Sequence, residues 1–178
     1  MIAERQIEPT YDTQVIVERV EKLAREIERG LTAEDPLLVG ILDGAAFFLC
    51  DLLRRLEPAL RFDFLRVDYV SDPDATGPLK IQYHLPTPVQ DETLVLFKDV
   101  VTSGVTESYL QDELRRQGAR RVLVACLVEM ASQRKTSFEP DFTLFRYEGA
   151  DLLVGYGLTH DHRYGHLPYI GRWPREEA

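Results

Sequence analysis

Residues 94–118 limit the possible fold more than any other part of the chain. The stretch starts with four consecutive apolar residues, 94–97, which is typical of a strand buried on both faces of a parallel sheet. A small, hydroxyl-bearing turn follows at residues 102–104. Residues 105–117 then have the apolar spacing of a helix that ends before Gly118. A strand, a tight turn and a helix in this order predict one unit of a parallel α/β sheet.

The turn in this stretch, residues 102–106, has the features of an anion site. Backbone N–H groups are unpaired at a helix N-terminus, and the helix dipole adds partial positive charge there. Gly104 lets the backbone approach a ligand closely. Hydroxyl groups are offered by Thr102, Ser103 and Thr106. We therefore predict a bound phosphate, although a strand-to-helix turn also needs an N-cap, which Ser or Thr commonly supplies.

A second strand, turn and helix precede the first. Residues 37–42 form an all-apolar run, residues 43–45 a short turn with one glycine, and residues 46–56 a helix with apolar positions on one face. Before them, residues 12–29 carry a single apolar stripe at helical spacing, and we expect Gly30 to end this helix. Two such units predict a parallel sheet with crossover helices.

Further strands are predicted at residues 62–70, 80–85, 121–129, 142–148 and 152–158. The first two flank a polar loop, residues 71–79, which contains two prolines and a glycine. We expect a β-hairpin here, with the loop as a mobile flap beside the phosphate site. The C-terminal tail is expected to lie across the sheet edge.

Composition sets limits on partners and location. A chain of 178 residues, 44% hydrophobic and 29% charged, is predicted to form one α/β domain. Its net charge of −9 argues against nucleic-acid binding, which needs a basic face. No apolar run approaches the ~20 residues of a membrane span, and no signal-peptide pattern is present, so we expect a cytoplasmic protein without membrane contact. Cys50 and Cys126 lie in apolar segments and are predicted to be buried thiols.

Five segments resemble one family in sequence and in order. They are LLVGILDGAAFFLCDLLRRL, FDFLRVDYV, LVLFKDVVTSGVT, LLVGYGL and RYGHLPYIG, and together they resemble the hypoxanthine-guanine phosphoribosyltransferases from about residue 10 to about residue 172. The resemblance implies a type I phosphoribosyltransferase fold: an α/β fold with a central, mostly parallel sheet flanked by helices, a flap hairpin and a small C-terminal hood. Residues 1–178 would be one domain, with a core at about 10–150 and the hood built from the N-terminal segment and about 151–178.

The same resemblance implies ligands and assembly. The ligands would be phosphoribosyl pyrophosphate with Mg²⁺ and a 6-oxopurine base, and the protein would be a homodimer or homotetramer. The implied phosphate-binding residues are Thr102, Ser103, Gly104, Val105 and Thr106. Of these, the cradle residues Ser103, Gly104 and Thr106 match the family pattern. Asp99 matches an acid that contacts the ribose hydroxyls, and the implied ribose-contacting pair is Lys98 with Asp99.

Several positions depart from the family pattern. Lys98 replaces the first of two acids, and Thr102 replaces the aspartate that takes or shares the proton at purine N7. A threonine hydroxyl cannot act as a base near pH 7, although it can hydrogen-bond a phosphate. Asp99 and Thr102 are the positions at which the resemblance implies catalytic residues. In the implied pyrophosphate loop, Asp43 stands before Gly44 in place of a lysine, and a carboxylate repels a pyrophosphate unless a metal intervenes.

The implied base pocket consists of Met130, Leu152 and Leu153. Met130 replaces the lysine that donates to the purine 6-oxo group, and a thioether cannot read a carbonyl oxygen. Arg134 or Lys135 could reach in if the loop were rebuilt. Leu152 stands where an aromatic residue stacks on the purine.

Metal ligands and a pyrophosphate contact are replaced as well. Thr159 takes the position of the Mg²⁺-binding aspartate, with Asp161 as a displaced alternative, and Gly165 takes that of an arginine near the pyrophosphate. Mg²⁺ thus stays possible only as a family expectation. A separate reading is a zinc or nickel site formed by the nearby histidines His160, His162 and His166.

Residues that hold phosphate are kept, whereas those for proton transfer and metal binding are replaced. This favours a protein that binds a purine nucleotide or phosphoribosyl pyrophosphate, with purine-salvage catalysis weakened or lost. The alternative is an active enzyme that converts hypoxanthine or guanine, with phosphoribosyl pyrophosphate, to IMP or GMP and pyrophosphate. An RNA-binding regulator on the same fold is disfavoured by the net charge of −9.

Overall fold

The fold is described from a computed structural model, in which residues 7–57, 60–70 and 80–173 are described. Within these residues the helices are Thr13–Leu31 (α1), Ala46–Leu53 (α2) and Val105–Arg116 (α3). The strands are Glu8–Tyr11 (β1), Leu37–Leu42 (β2), Arg61–Val70 (β3), Lys80–His84 (β4), Thr93–Val101 (β5), Arg121–Glu129 (β6), Phe142–Arg146 (β7), Leu153–Val154 (β8) and Ile170–Arg172 (β9). A short 3₁₀ helix, Ala131–Gln133, follows β6.

The main sheet has six strands in the order β4-β3-β2-β5-β6-β7. Its strands run parallel except β4, which pairs antiparallel with β3. This confirms the predicted parallel α/β sheet and the hairpin at residues 62–85. The loop predicted to be a mobile flap, residues 71–79, lies outside the described residues.

Strand β5 lies at the centre of the sheet, and the side chains of residues 93–97 are buried on both faces. Val95 and Phe97 pack toward α1 and α2, and the Phe97 ring meets that of Phe48 edge-to-face with centroids 5.3 Å apart. Leu94 and Leu96 pack on the opposite side, in the cluster that contains apolar residues of α3. The apolar run at residues 94–97 is stable here because helices cover both faces of the sheet.

Two helix ends differ from the prediction. Helix α1 continues through Gly30 to Leu31, because Leu31 is buried in the same core as the rest of the apolar stripe. The expectation that Gly30 ends this helix is wrong. Helix α2 ends at Leu53 rather than at residue 56, because the next backbone bonds, such as Arg55 N–H to Leu52 O at 2.9 Å, span three residues. The end of α3 was predicted correctly, with Gly118 in the left-handed region at φ 97°.

A second, smaller sheet joins the two ends of the described chain. Its order is β1-β9-β8, and all its pairs are antiparallel. The strand predicted at 152–158 is limited to Leu153–Val154, because Gly155 and Gly157 have positive φ and the chain turns back in a bridge from Gly155 to Leu158. The C-terminal tail forms β9 in this sheet instead of lying along the edge of the main sheet. The division into a core and a hood at the predicted boundaries stays a prediction.

The two cysteines are not joined by a disulfide bond. Cys126 is buried in β6, and this burial raises the pKa of its thiol to about 12, whereas Cys50 on α2 is half-buried. Among the described helices, none has the length and apolar character needed to cross a membrane.

Candidate functional site

Two turns meet at the carboxyl end of the main sheet. Strands β2 and β5 are parallel neighbours, with Gly40 opposite Phe97, so the turns that follow them lie side by side. Residues 43–45 form the turn after β2, and the peptide bond that enters it, between Leu42 and Asp43, is cis. The carboxyl ends of parallel strands are where open α/β sheets bind their ligands. The topology therefore brings the two turns predicted from the sequence into one region.

Asp99 connects the two turns. A Cβ atom added at Gly44 would overlap the Asp99 carboxylate, so the backbone of the first turn passes directly against this side chain. The same carboxylate forms an ion pair with the Lys98 ammonium group. Gly44 is thus required because Asp99 occupies the space that a side chain would need. Gly44 and Asp99, about 55 residues apart in sequence, are therefore in contact, and Asp43 and Lys98 are their neighbours in the chain.

The turn predicted to bind phosphate, residues 102–106 (the phosphate turn), is held in a defined conformation. Gly104 is the N-cap residue of α3 with φ 77°, and the helix starts with the bond from Ser108 N–H to Gly104 O, 3.0 Å. The Ser103 Oγ accepts a hydrogen bond from Val105 N–H at 3.3 Å. On its other side, the Ser103 carbonyl accepts bonds from Lys135 N–H and from the Thr136 hydroxyl, at 2.9 and 3.3 Å.

The segment after β6, residues 130–138, packs against the turn at residues 102–106. Arg134 donates to the Glu129 carboxylate at 2.7 Å, and its guanidinium lies 5.7 Å from the centroid of the Phe138 ring. Both side chains of the ion pair are largely buried, 14% and 7% exposed. Because the Arg134 side chain is held by Glu129, the structure does not show the arrangement in which Arg134 contacts a bound base. Lys135 is exposed, and its backbone is bonded to Ser103.

Glu107 is a buried acid at the site that the sequence analysis did not identify. It lies in the first turn of α3 and is 4% exposed. Burial raises the pKa of its carboxyl group, and the negative charge of Asp99 adds to this. Its own backbone N–H and the charges of Lys98 and Arg134 act in the opposite direction. An acid in the first helical turn is common, so the sequence carried no signal that this one is buried.

We expect Glu107→Gln to raise the free energy of unfolding at pH 7. Because burial raises the pKa of this carboxyl group in the folded protein, the wild type loses stability as the pH rises from the ordinary glutamate pKa toward the raised one. Glutamine does not titrate and so removes this pH-dependent loss. The free energy of unfolding that the variant gains over the wild type should therefore shrink to zero below about pH 4. Thermal unfolding of both proteins across this pH range measures the difference. A gain that is independent of pH would contradict the interpretation.

The three predicted base-pocket residues are in different surroundings. Met130 directly follows β6, is buried in the core, and donates its N–H to Val101 O at 2.9 Å. Leu153 lies in β8 and is also part of the core. The side chain of Leu152 is exposed, and its carbonyl accepts a bond from Trp173 N–H at 2.8 Å. A base pocket made by these residues stays a prediction.

The donors at this end of the sheet do not fit a divalent cation. Asp99, the acid that matches the family pattern, is paired with the Lys98 ammonium, which repels a cation. Thr159 offers an uncharged hydroxyl where a carboxylate is expected. Asp161, the alternative ligand, is on the exposed surface with His160 Nε2 3.8 Å from its carboxylate. Among the described residues, no group of three or more His, Cys, Asp or Glu side chains is arranged to hold a metal ion.

Comparisons with known proteins show the family to which the chain is similar. A sequence profile described as "Phosphoribosyl transferase domain" matches residues 7–155. The hypoxanthine-guanine phosphoribosyltransferase of Bacillus subtilis is 35% identical over 159 residues, which cover 86% of this chain and 88% of that protein.

Two solved structures are similar in three dimensions. A hypoxanthine phosphoribosyltransferase from Staphylococcus aureus has a TM-score of 0.85 at 24% identity, covering 94% of this chain and 91% of that one. A hypoxanthine-guanine phosphoribosyltransferase from Bacillus anthracis has a TM-score of 0.83 at 21% identity, covering 94% and 98%. At these identities the likeness shows a shared fold, which confirms the fold expected from the five matching segments.

Proposed function

Because the chain belongs to the hypoxanthine-guanine phosphoribosyltransferase family, we propose that residues 102–106 bind the 5′-phosphate of a purine nucleotide or of phosphoribosyl pyrophosphate. We propose further that purine-salvage catalysis is weakened or lost. The observation that carries this proposal is the phosphate turn: Gly104 has the left-handed conformation that opens α3, and Ser103 is held by two bonds from the segment after β6. A turn fixed in this way is preorganised for an anion.

The replaced residues support weakened catalysis. Phosphoribosyl transfer passes through an oxocarbenium-like state, so the protein has to position the donor and the base and to stabilise the departing pyrophosphate. Thr102 cannot take a proton at purine N7 near pH 7. Asp43 places a negative charge in the loop where the pyrophosphate would leave. Each lost interaction of this kind costs about 2–4 kcal/mol of transition-state stabilisation when the groups act independently.

The second candidate is an active purine phosphoribosyltransferase. It is favoured by the 35% identity with the Bacillus subtilis enzyme and by the position of Asp99, which lies against the Gly44 turn where a ribose would bind. In this case Asp99 would orient the ribose hydroxyls, and backbone N–H groups of the two turns would stabilise the negative charge of the departing pyrophosphate. Turnover then depends on groups that replace Thr102 and Asp43 in their expected roles.

Calorimetry against GMP, IMP, AMP and phosphoribosyl pyrophosphate tests the proposal, and each ligand that binds is then assayed for turnover with purine bases. We expect binding of at least one of these ligands without appreciable turnover. Turnover at rates typical of enzymes, about 1–10³ s⁻¹, would establish the second candidate instead. Failure of all four ligands to bind would overturn both candidates.

We expect Thr106→Ala to weaken the binding of these ligands about 10- to 100-fold, because a hydrogen bond to a charged group is worth about 1.5–3 kcal/mol. Ser108→Ala, two residues further along α3, is the matched control and should bind as the wild type does. Equal affinities of the Thr106→Ala variant and the wild type would place the phosphate elsewhere.

We also propose a cytoplasmic homodimer or homotetramer that binds neither nucleic acid nor membranes. The resemblance to the family supports the assembly, and the net charge of −9 argues against nucleic acid. Light scattering after size-exclusion chromatography measures the number of subunits, and a monomeric mass would overturn this part of the proposal.

A further inference from the structure

Lys98 is in an unusual position for a lysine. It follows the buried part of β5, and its side chain is only 21% exposed. Neighbouring residues of a strand normally point to opposite faces, yet Lys98 and Asp99 form an ion pair. The flexible lysine stem therefore bends so that the ammonium group lies at the carboxyl end of the sheet, beside the turn that contains Gly44.

Several acidic side chains lie near the Lys98 ammonium group. Asp99 and Glu107 provide carboxyl groups, and Asp43 adds a third acid in the neighbouring turn. Arg134 is the other cation close to Glu107; its Nη2 donates to Glu129, and its buried Nη1 lies 3.1 Å from a Cβ added at Gly104. Without Lys98, a highly charged phosphate ligand entering beside the Gly44 turn would approach the Asp99 carboxylate without its Lys98 partner, next to the carboxylate of Asp43. It would then need an added cation to balance its charge.

We propose that Lys98 supplies this positive charge from within the chain, so that the site binds phosphoribosyl pyrophosphate or a purine nucleotide without Mg²⁺. The inference rests on the proposed function and specifies how the same site handles the charge of its ligand. An ammonium group on Asp99 occupies the position of a cation and repels any other cation that approaches this carboxylate. With Lys98 in place, the site therefore needs no Mg²⁺ to bind its ligand.

Calorimetry with phosphoribosyl pyrophosphate and with GMP, each in excess Mg²⁺ and in EDTA, tests this inference. For the wild type we expect dissociation constants that differ by less than about threefold between the two conditions. Lys98→Met should weaken binding about tenfold or more in both, because Asp99 then faces the ligand without its ion pair. Lys98→Glu should bind very weakly in EDTA and regain affinity when Mg²⁺ is added, because two adjacent carboxylates can hold the metal.

Two further variants separate this effect from damage to the fold. Lys98→Arg keeps the charge and should bind in EDTA within about threefold of the wild type. Lys22→Glu makes the same charge change on the exposed surface of α1 and should leave binding unchanged. Circular dichroism and thermal unfolding of each variant show whether it is folded.

The outcomes distinguish the inference from the proposed function. Wild-type binding that requires Mg²⁺ would overturn the inference and leave the proposed function intact. A folded Lys98→Met variant with wild-type affinity in EDTA would overturn it as well. If neither ligand binds to the wild type with or without Mg²⁺, both the inference and the proposed function fail.

Discussion

Gly104→Ala is expected to lower the free energy of unfolding by about 2–4 kcal/mol and to weaken ligand binding at least tenfold. Gly104 has φ 77°, where a residue with a side chain is strained by about 1–2 kcal/mol. An added Cβ would also lie 2.5 Å from the Thr136 hydroxyl and 3.1 Å from Arg134 Nη1, and overpacking of this kind costs about 1–3 kcal/mol. Because Thr136 bonds to Ser103 O, displacing it disturbs the phosphate turn itself.

Denaturant unfolding and calorimetry on the same preparation measure both effects. Gly30→Ala is the matched control: this glycine lies inside α1, and nothing is within 4 Å of a Cβ added there. Alanine is a better helix former than glycine, so the control should gain about 0.5–1 kcal/mol. If Gly104→Ala is as stable as the wild type and binds phosphate ligands normally, then the left-handed turn is not needed for the site.

Glu129→Ala is expected to cost about 3–5 kcal/mol of stability, because removing one partner of a buried ion pair leaves the other charge unpaired. Glu129 accepts from Arg134 at 2.7 Å and from the Thr143 hydroxyl at 3.3 Å, so its loss affects two neighbouring elements. Arg134, which is 14% exposed, would be left without this carboxylate. Since domains of this kind are stable by about 5–15 kcal/mol, the loss is a large fraction of the total.

Arg146, an exposed second partner of Glu129, provides a matched control. Arg146 also pairs with Glu129, at 3.3 Å, but its side chain is 75% exposed. Arg146→Ala should therefore change the free energy of unfolding by less than about 1 kcal/mol. Chemical denaturation of the two single variants is sufficient. Similar losses from Glu129→Ala and Arg146→Ala would show that burial does not determine the strength of this ion-pair cluster.

The contrast between kept and replaced residues has a simple physical meaning. Holding a phosphate requires a turn geometry and backbone N–H groups, which depend on few side chains. Transferring a ribosyl group also requires a base, balanced charges and cations at defined positions. In the function that we propose, Thr102, Asp43 and Lys98 alter the second set of requirements and leave the first intact. Binding without turnover is therefore the function that we expect to survive.

Local sequence patterns determined most of the secondary structure. The bounds of β2 and β6 were predicted correctly as residues 37–42 and 121–129, because continuous apolar runs between turn residues leave few other possibilities. Gly118 was predicted correctly, for a similar local reason, as the glycine that follows the end of α3. Gly30 misled the prediction because the burial of Leu31 outweighs the modest cost of a glycine inside a helix.

The sequence by itself thus determined the order of strands and helices around the main sheet, the turn between β5 and α3 and the family, since each depends on residues that are close together in the chain. Only the tertiary structure decided that Gly44 lies against Asp99, that Glu107 is buried, and that Arg134 is bound to Glu129 behind the turn. The physical reason is that burial and charge pairing depend on which strands become neighbours. Local patterns do not contain that information.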